Sequence, residues 1–416
     1  MPTSITTSPQ TPRYQEKREA ILSAAALLFN EHGLRGATLT DIAGNVGLVT
    51  NSVTYYYRKK EDLAKACLLR SIAAFDALAL AAAEPAAVPE RLRAFLRGLA
   101  HLLADIEEGR HPPLIVFNDI RALPERAEVF AAYTNMFRRV RTLLMGEETA
   151  ALTRDDLNAR AHIVLSVANW MGPWIGRYEA GEYERVADRV SDILIGGIGS
   201  AGSSWSPPDA EAAWRPAGSA ESTSEAFLRA ATVLVNEQGY RGASIDKISA
   251  RLNVTKGSFY HHNDNKLDLI SECFERTFAV MRQALILAET CSGSGWSRAC
   301  AAACALVRFQ LSAEGPLLRA TATSALPDKA QRDRVRTTLR RLTERMNSVI
   351  VDGMVDGSVR PLDPAIAAQT SIATINAAAE LHRWAPNVTP ASAAGFYVRP
   401  AFEGVLCPSG NAGGAQ

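Results

Sequence analysis

Apolar residues recur at helical spacing in two places far apart in the chain. Ile21, Ala24, Ala25 and Leu28 fall at i, i+3, i+4 and i+7, as do Phe227, Ala230, Ala231 and Leu234. Each set predicts a helix with one buried stripe. Gly33 and Gly239 follow, and glycine enters the left-handed backbone region without steric cost, so each ends its helix. A second helix is predicted from Leu39, Ile42, Ala43 and Val46, and from Ile245, Ile248, Ser249 and Leu252. Thr38 is its expected N-cap, with Asp41 placed for a capping box, and Ser244 is the matching cap. Gly47 and Asn253 come next, the residue types that best tolerate positive φ. A third helix is expected from about Thr50 to Tyr57 and from about Lys256 to Asn263, with Val53 and Phe259 pointing inward. Helix, short left-handed turn and helix make up a helix-turn-helix.

The two places are copies of each other. Residues 19–63 align with 225–269 at a constant offset of 206 without a gap, and 17 of the 45 positions are identical. Gly33-Leu34-Arg35-Gly36-Ala37 meets Gly239-Tyr240-Arg241-Gly242-Ala243, Lys60 meets Lys266, and Cys67 meets Cys273. A period this long marks duplicated domains, not a solenoid. Between the copies, Ser200 to Ser222 is rich in Gly, Ser, Pro and Ala without helical period. It reads as a linker with a typical reach of roughly 25 Å, enough for folded halves to pack side by side.

Composition agrees with an all-α chain. Of 416 residues, 47% are hydrophobic, alanine is abundant and strand-like alternation is scarce. The length suggests two to four domains. The net charge is +1, so any nucleic-acid affinity must come from local charge. Residues 13–65 carry eight basic and six acidic side chains, net +2; residues 222–270 carry six and five, net +1. Charge alone does not point to DNA. The first twelve residues lack the apolar core of a signal peptide, and no charge-free apolar span is long enough to cross a bilayer. A cytoplasmic location is therefore expected.

Six cysteines, at 67, 273, 291, 300, 304 and 407, form no CxxC pair and no metal-ligand spacing with histidine. Buried or free thiols are the expectation, with Cys300 and Cys304, at i and i+4, as the place for a redox sensor if there is one. No phosphate-binding glycine loop, metal motif or recognisable nucleophile is present, so neither an enzyme nor a cofactor is expected.

The outer face of the third helix carries hydroxyls, an amide, phenols and imidazoles. These are Thr50, Asn51, Ser52, Thr54, Tyr55 and Tyr56 in one copy, and Lys256, Ser258, Tyr260, His261 and His262 in the other. Such groups reach phosphate oxygens and base edges in a major groove. Lys60 and Lys266 open the next helix, where an ammonium suits a phosphate. Read singly, each helix is also consistent with an ordinary solvated face on a small bundle.

The second copy, GYRGASIDKISARLNVTKGSFYHHNDNKLDLI, closely resembles the DNA-binding head of the tetracycline-repressor (TetR) family. The first, GLRGATLTDIAGNVGLVTNSVTYYYRKKEDL, resembles it with departures. Val49 stands where the family has a capping Ser or Thr, as at Thr255, so Thr50 is a candidate cap instead. Asn51 replaces the usual glycine, seen here at Gly257, and Thr54 the usual tyrosine. In the second copy Asn263 replaces a phenylalanine. The resemblance implies phosphate contacts from Tyr260, His261 or His262 and Lys266, and from Tyr56, Lys60 and, less directly, Thr54. It implies base contacts from Thr50 and Asn51, and from Lys256 and Gly257.

The resemblance also implies helical ligand and dimerisation domains. Asn158 to Ile198, with Trp170, Trp174 and Arg177, corresponds in pattern to Gly353 to Trp384. The expected organisation is a tail (1–13), a DNA-binding head (14–70), a helical domain (71–199), the linker (200–222), a second head (223–276), a second helical domain (277–408) and a tail (409–416). Phe117, Trp170, Trp174, His382 and Trp384 are candidate contacts for an unidentified small-molecule effector, although core or interface is the commoner role for such residues. The expected partner is a double-stranded DNA operator, bound by an intramolecular pseudo-dimer whose unequal heads read non-identical half-sites; further dimerisation stays open. The alternative is a protein-interaction module with one or both heads degenerate for DNA.

Overall fold

The computed structural model describes residues 11–117, 123, 126–206, 223–255, 265–326 and 328–408. The fold is all-α, and among the described residues the only bridge of β type is isolated, between Gly199 and Val359. The first half contains α1 (Pro12–Gly36), α2 (Leu39–Asn45), α3 (Thr50–Tyr56), α4 (Lys60–Ala81), α5 (Val88–Glu107), α6 (Ala127–Leu143), α7 (Arg154–Ile175) and α8 (Tyr183–Gly196). The second contains α9 (Thr223–Gly242), α10 (Ile245–Arg251), α11 (Lys266–Thr290), α12 (Gly295–Leu311), α13 (Lys329–Val355), α14 (Pro364–Ala377) and α15 (Arg399–Glu403). Among the described residues, no helix is long and apolar enough to cross a membrane.

The predicted punctuation of the heads is present. The backbone turns at Gly33 and Gly239, both at φ 69°. Thr38 caps α2: its hydroxyl accepts from Asp41 N at 3.1 Å, and its backbone N donates to the Asp41 carboxylate at 3.0 Å. Ser244 accepts from Lys247 N at the start of α10. Gly47 and Asn253 lie at φ 65° and 57°. One expectation fails: Val49, not Thr50, holds the N-cap position of α3, with no side-chain bond. Thr50 lies inside the helix, its hydroxyl donating to that of Thr40 at 3.3 Å.

The pseudo-repeat extends beyond the heads into the loop after α5 and the loop after α12. The Asn30 side chain donates to Leu114 O and accepts from Val116 N; Asn236 does the same with Leu317 O and Arg319 N. Ile115 N donates to Ser71, and Leu318 N to Thr277. Arg70 and Arg276 donate to Pro113 O and Pro316 O. Val116 and Arg319 therefore occupy equivalent places.

The halves pack along α7 and α14, with α8 also against α14 and α15 against both α7 and α8. Polar side chains of one half reach backbone and side-chain groups of the other. Asn158 donates to Trp384 O at 2.7 Å, and Arg160 to Val405 O at 3.0 Å and Cys407 O at 2.9 Å. Trp170 Nε1 donates to the Gln369 amide oxygen at 3.0 Å, and Arg189 pairs with Asp363 at 2.8 Å. The halves are otherwise unequal. After α14 the second half continues as a 3-10 turn (Ala378–Arg383) and ends in the short α15, where the first has a full α8.

The segment read as linker is not a free tether at its start. Ser200 N and the Ser203 hydroxyl both donate to Ser358 O, and the Trp296 indole donates to Ser204 O. Trp205 meets the Trp296 ring edge-on, at 6.5 Å between centroids. An indole and several hydroxyls gave this stretch a docking surface that its composition masked.

All six cysteines are free. Burial pushes the thiols of Cys67, Cys273 and Cys304 up to about 12, and that of Cys300 well above its usual value. A thiol held protonated is neither nucleophile nor ready redox sensor, so Cys300 and Cys304 are core residues of α12.

Candidate functional site

The first head builds a short helix on a firm base. Val53 is fully buried under α3, worth roughly 1.5–3 kcal/mol for a side chain of this kind. Tyr57 closes the helix from below, buried, with the Arg18 guanidinium 5.7 Å from its ring centre. Burial raises its hydroxyl to about 12. With these two residues inward, α3 turns Asn51 and Tyr55 to solvent, while Ser52, Thr54 and Tyr56 are half-buried. Tyr55 is 74% exposed and Val49, just before the helix, 70%. An apolar side chain so exposed at the opening of a recognition-type helix suits a thymine methyl as well as water.

Sequence reasoning missed Tyr14. It comes from the first turn of α1 and packs on Tyr56 at 4.8 Å and edge-on to Tyr55 at 6.2 Å between ring centres, while Tyr55 and Tyr56 are themselves 5.2 Å apart. The three rings form an aromatic ridge beside α3. Its only sequence signal was one tyrosine at the edge of a polar tail. Several of the expected contact residues, Thr38 and Thr50 among them, have bonds inside the head. Thr54 donates to Asn51 O at 2.9 Å, and the Lys60 ammonium donates to Ala37 O at 2.9 Å, across the turn from α2. Thr38 is exposed, but its hydroxyl is engaged with Asp41, whose carboxyl those bonds hold below its usual value.

In the second head, α9 and α10 with the Asn253 turn repeat the base. Thr255 is exposed just beyond the turn. Lys256, Gly257, Ser258, Tyr260, His261 and His262 lie outside the described residues. Lys266 opens α11, after Asn265, which caps that helix by accepting from Leu267 N and Asp268 N.

A second site lies at the seam between the halves. A cavity of about 170 Å³ is lined from the first half by Val116, Phe117, the α6 residues Phe130 and Tyr133, and one face of α7 including His162 and Trp170. From the second half come Arg319 to Thr321, the end of α14, Glu380, Arg383 and Trp384. Of the five expected effector contacts, Phe117, Trp170 and Trp384 meet here. Trp174 does not: it is buried in the first half, edge-on to Tyr178. His382 is exposed and outside the lining.

The aromatic wall is continuous. Phe117 meets Tyr133 edge-on at 5.4 Å, Tyr133 lies 6.1 Å from Trp384, and Trp384 stacks on Phe137 at 3.6 Å. Among the described residues, the charged ones in the lining are Arg319, Glu380 and Arg383. Glu380 pairs closely with Arg319 and with Arg383 at 3.0 Å. Burial above all, helped by the field of Arg319, Arg383 and His382 and opposed by a bond to Ala377 O, lowers the His162 imidazole to about 4. That bond, 2.9 Å from Nε2 to a carbonyl that can only accept, places the ring proton on Nε2. Burial raises the Tyr133 hydroxyl to about 12. Both are uncharged at neutral pH. The sequence showed none of Tyr133, His162, Arg319, Glu380 or Arg383 as a group, because they come from four separate segments.

Comparison with known proteins places both heads. The family described as "Bacterial regulatory proteins, tetR family" matches residues 21–67 and again 227–273. The Transposon Tn10 TetC protein of Escherichia coli is 42% identical over 77 residues, 18% of this chain and 39% of that protein. The "Biofilm operon icaADBC HTH-type negative transcriptional regulator IcaR" of Staphylococcus epidermidis is 40% identical over 48 residues, 12% of this chain and 26% of that protein. The chain thus spans about two fifths and one quarter of these relatives' lengths. Among solved structures, the TetR family transcriptional regulator PfmR from Thermus thermophilus is 28% identical, with a TM-score of 0.35, covering 42% of this chain and 95% of its own. A tetR-family regulatory protein from Rhodococcus RHA1 is 21% identical, with a TM-score of 0.34, covering 45% and 99%.

Proposed function

From the premise that this chain carries two tetR-family regulatory domains in one polypeptide, we propose that it is a sequence-specific DNA-binding regulator of transcription. The observation that carries the reading is the matched pair of heads, each a capped second helix and a left-handed turn at Gly47 or Asn253. A helix delivered by such a turn lies in a major groove and reads base edges from its first residues. In the first head those are Thr50 and Asn51, with the tyrosine ridge beside the phosphates.

One chain supplies two heads and acts as an intramolecular pseudo-dimer on an operator with non-identical half-sites. The packing of α7 on α14 within the chain supports this, as do the differences at Val49, Asn51 and Thr54. The regulator responds to a small molecule, for which the seam cavity is the site, and represses in its absence. The relative named a negative regulator supports that sign.

Selection of bound DNA, followed by a gel shift over a salt series, tests the reading. A specific site with two unlike halves is expected, with affinity falling steeply with salt. Light scattering on the complex should find one chain per operator. Four heads per particle would sink the pseudo-dimer, and binding without sequence preference would favour the protein-interaction alternative.

A further inference from the structure

Resting on the DNA-binding reading above, we propose that Tyr14 contacts the operator, donating its hydroxyl to one backbone phosphate beside the first head. Three observations carry this: the packing of the ring, the freedom of the hydroxyl, and the exchange at position 54 between the two copies.

Tyr14 is fixed to the head by its ring. It packs on Tyr56 at 4.8 Å and meets Tyr55 edge-on at 6.2 Å, spacings at which aromatic pairs attract. One turn on, the Arg18 guanidinium lies 5.7 Å from the Tyr57 ring centre and ties the same stretch of α1 to the residue that follows α3. The phenol is held in place before DNA arrives, so little freedom is lost on binding.

The hydroxyl is unengaged. Among the described residues, no hydrogen bond takes up the hydroxyl of Tyr14, Tyr55 or Tyr56. The threonine hydroxyls of α3 are taken: Thr50 donates to Thr40, and Thr54 to Asn51 O. Lys17, three positions on from Tyr14, shares its side of α1 and forms no ion pair among the described residues. Glu16, two positions on, does not face Tyr14. A phenol donor with an ammonium near it suits a phosphate oxygen. Base edges are reached from α3 itself, where Asn51 is exposed.

The repeat gives a reason for the contact. Thr54 aligns with Tyr260 at the offset of 206, and the same offset carried back puts Ala220 opposite Tyr14. Each copy therefore has a tyrosine at one of these two places and a shorter side chain at the other. In the first copy the Thr54 hydroxyl is closed on its own helix, and the phenol comes from α1 instead. The contact occurs once per chain, in one half of the operator.

The test uses the full chain and the operator recovered by selection with the wild type, with melting temperatures measured beside affinity. Y14F removes the hydroxyl and keeps the ring. Its melting temperature should match the wild type, while operator affinity falls about tenfold, as for a lost bond to a charged group. Operators are then made with a neutral methylphosphonate at one position at a time. At one position, in one half, the neutral linkage should weaken the wild type about tenfold more than it weakens Y14F. At the other positions the two proteins should respond alike. A ring that only supports Tyr56 would show no such dependence on a single linkage. Wild-type affinity in Y14F, or a loss that no single linkage accounts for, would overturn the proposal. If the wild type still binds its operator specifically in those cases, the regulator reading stands and only the contact from Tyr14 falls. If the wild type selects no specific DNA, both fall.

Discussion

The guanidinium of Arg160, on α7, donates to the carbonyl oxygen of Val405 at 3.0 Å although 245 residues separate them. The side chain is 1% exposed, donates also to Cys407 O, and lies 3.5 Å from the equally buried Asp156. A buried charge is retained only with such partners. Arg160→Met removes the donors and leaves Asp156 without its cation. It is expected to cost about 3–5 kcal/mol, as breaking a buried pair does. Denaturant melts followed separately by fluorescence and circular dichroism would check this. An unchanged midpoint would mean that the end of the chain contributes nothing to holding the halves.

Two glycines at nearly the same φ should respond very differently to alanine. Gly47, at φ 65°, has open space around a hypothetical Cβ; Gly197, at φ 69°, would drive it into Phe402 O and the Glu403 backbone. Gly47→Ala should cost about 1 kcal/mol, the backbone term alone. Gly197→Ala adds a collision with backbone and should cost several times more. Thermal melts of the two variants give the comparison, and equal losses would contradict the close approach of α8 to α15.

His162 gives stability a pH dependence of definite sign. Its imidazole titrates near 4 when folded and near 6.5 when free. Above 6.5 both states are neutral and nothing is lost. As pH falls from 6.5 towards 4 the unfolded chain takes up the proton first, and the folded state loses up to about 3 kcal/mol. His162→Gln, whose amide can still donate to Ala377 O, should flatten this part of the profile relative to wild type. Parallel melting curves for the two proteins between pH 7 and pH 4 would count against the burial of a neutral ring.

Asn51 and Lys60 should separate reading from positioning in the first head. Asn51→Ala removes an amide from the exposed opening of α3. It should cost about 1–3 kcal/mol of operator affinity and relax preference at one half-site only. Lys60→Ala should weaken all sequences alike and reduce the salt slope by about one unit. Its ammonium also bonds Ala37 O, so melting is measured beside binding. A uniform loss from Asn51→Ala would remove it from base contact.

Much of the heads was legible in the sequence because their geometry is local. A cap at Thr38, a left-handed residue at Gly47 and an inward Val53 are each fixed by neighbours within a few positions, and residue chemistry alone names them. The failure at Thr50 is local too: one valine at position 49 still adopts the extended backbone of a cap without supplying its hydroxyl. The cavity was not legible, since Tyr133, Arg319 and Glu380 meet only after two halves have packed. Phe117, Trp170 and Trp384 were found by residue type, and Trp174 and His382 by the same rule were not cavity residues. Composition marked Ser200 to Ser206 as a tether because hydroxyls and an indole look alike whether they face water or a neighbouring helix.

In an assembly of identical chains every mutation is inherited in duplicate, and a change must suit both of its places at once. Here the places of Val116 and Arg319 are written separately in one gene. Selection can alter one wall of the seam and leave its counterpart untouched, so the two halves are free to diverge in sequence while they stay joined.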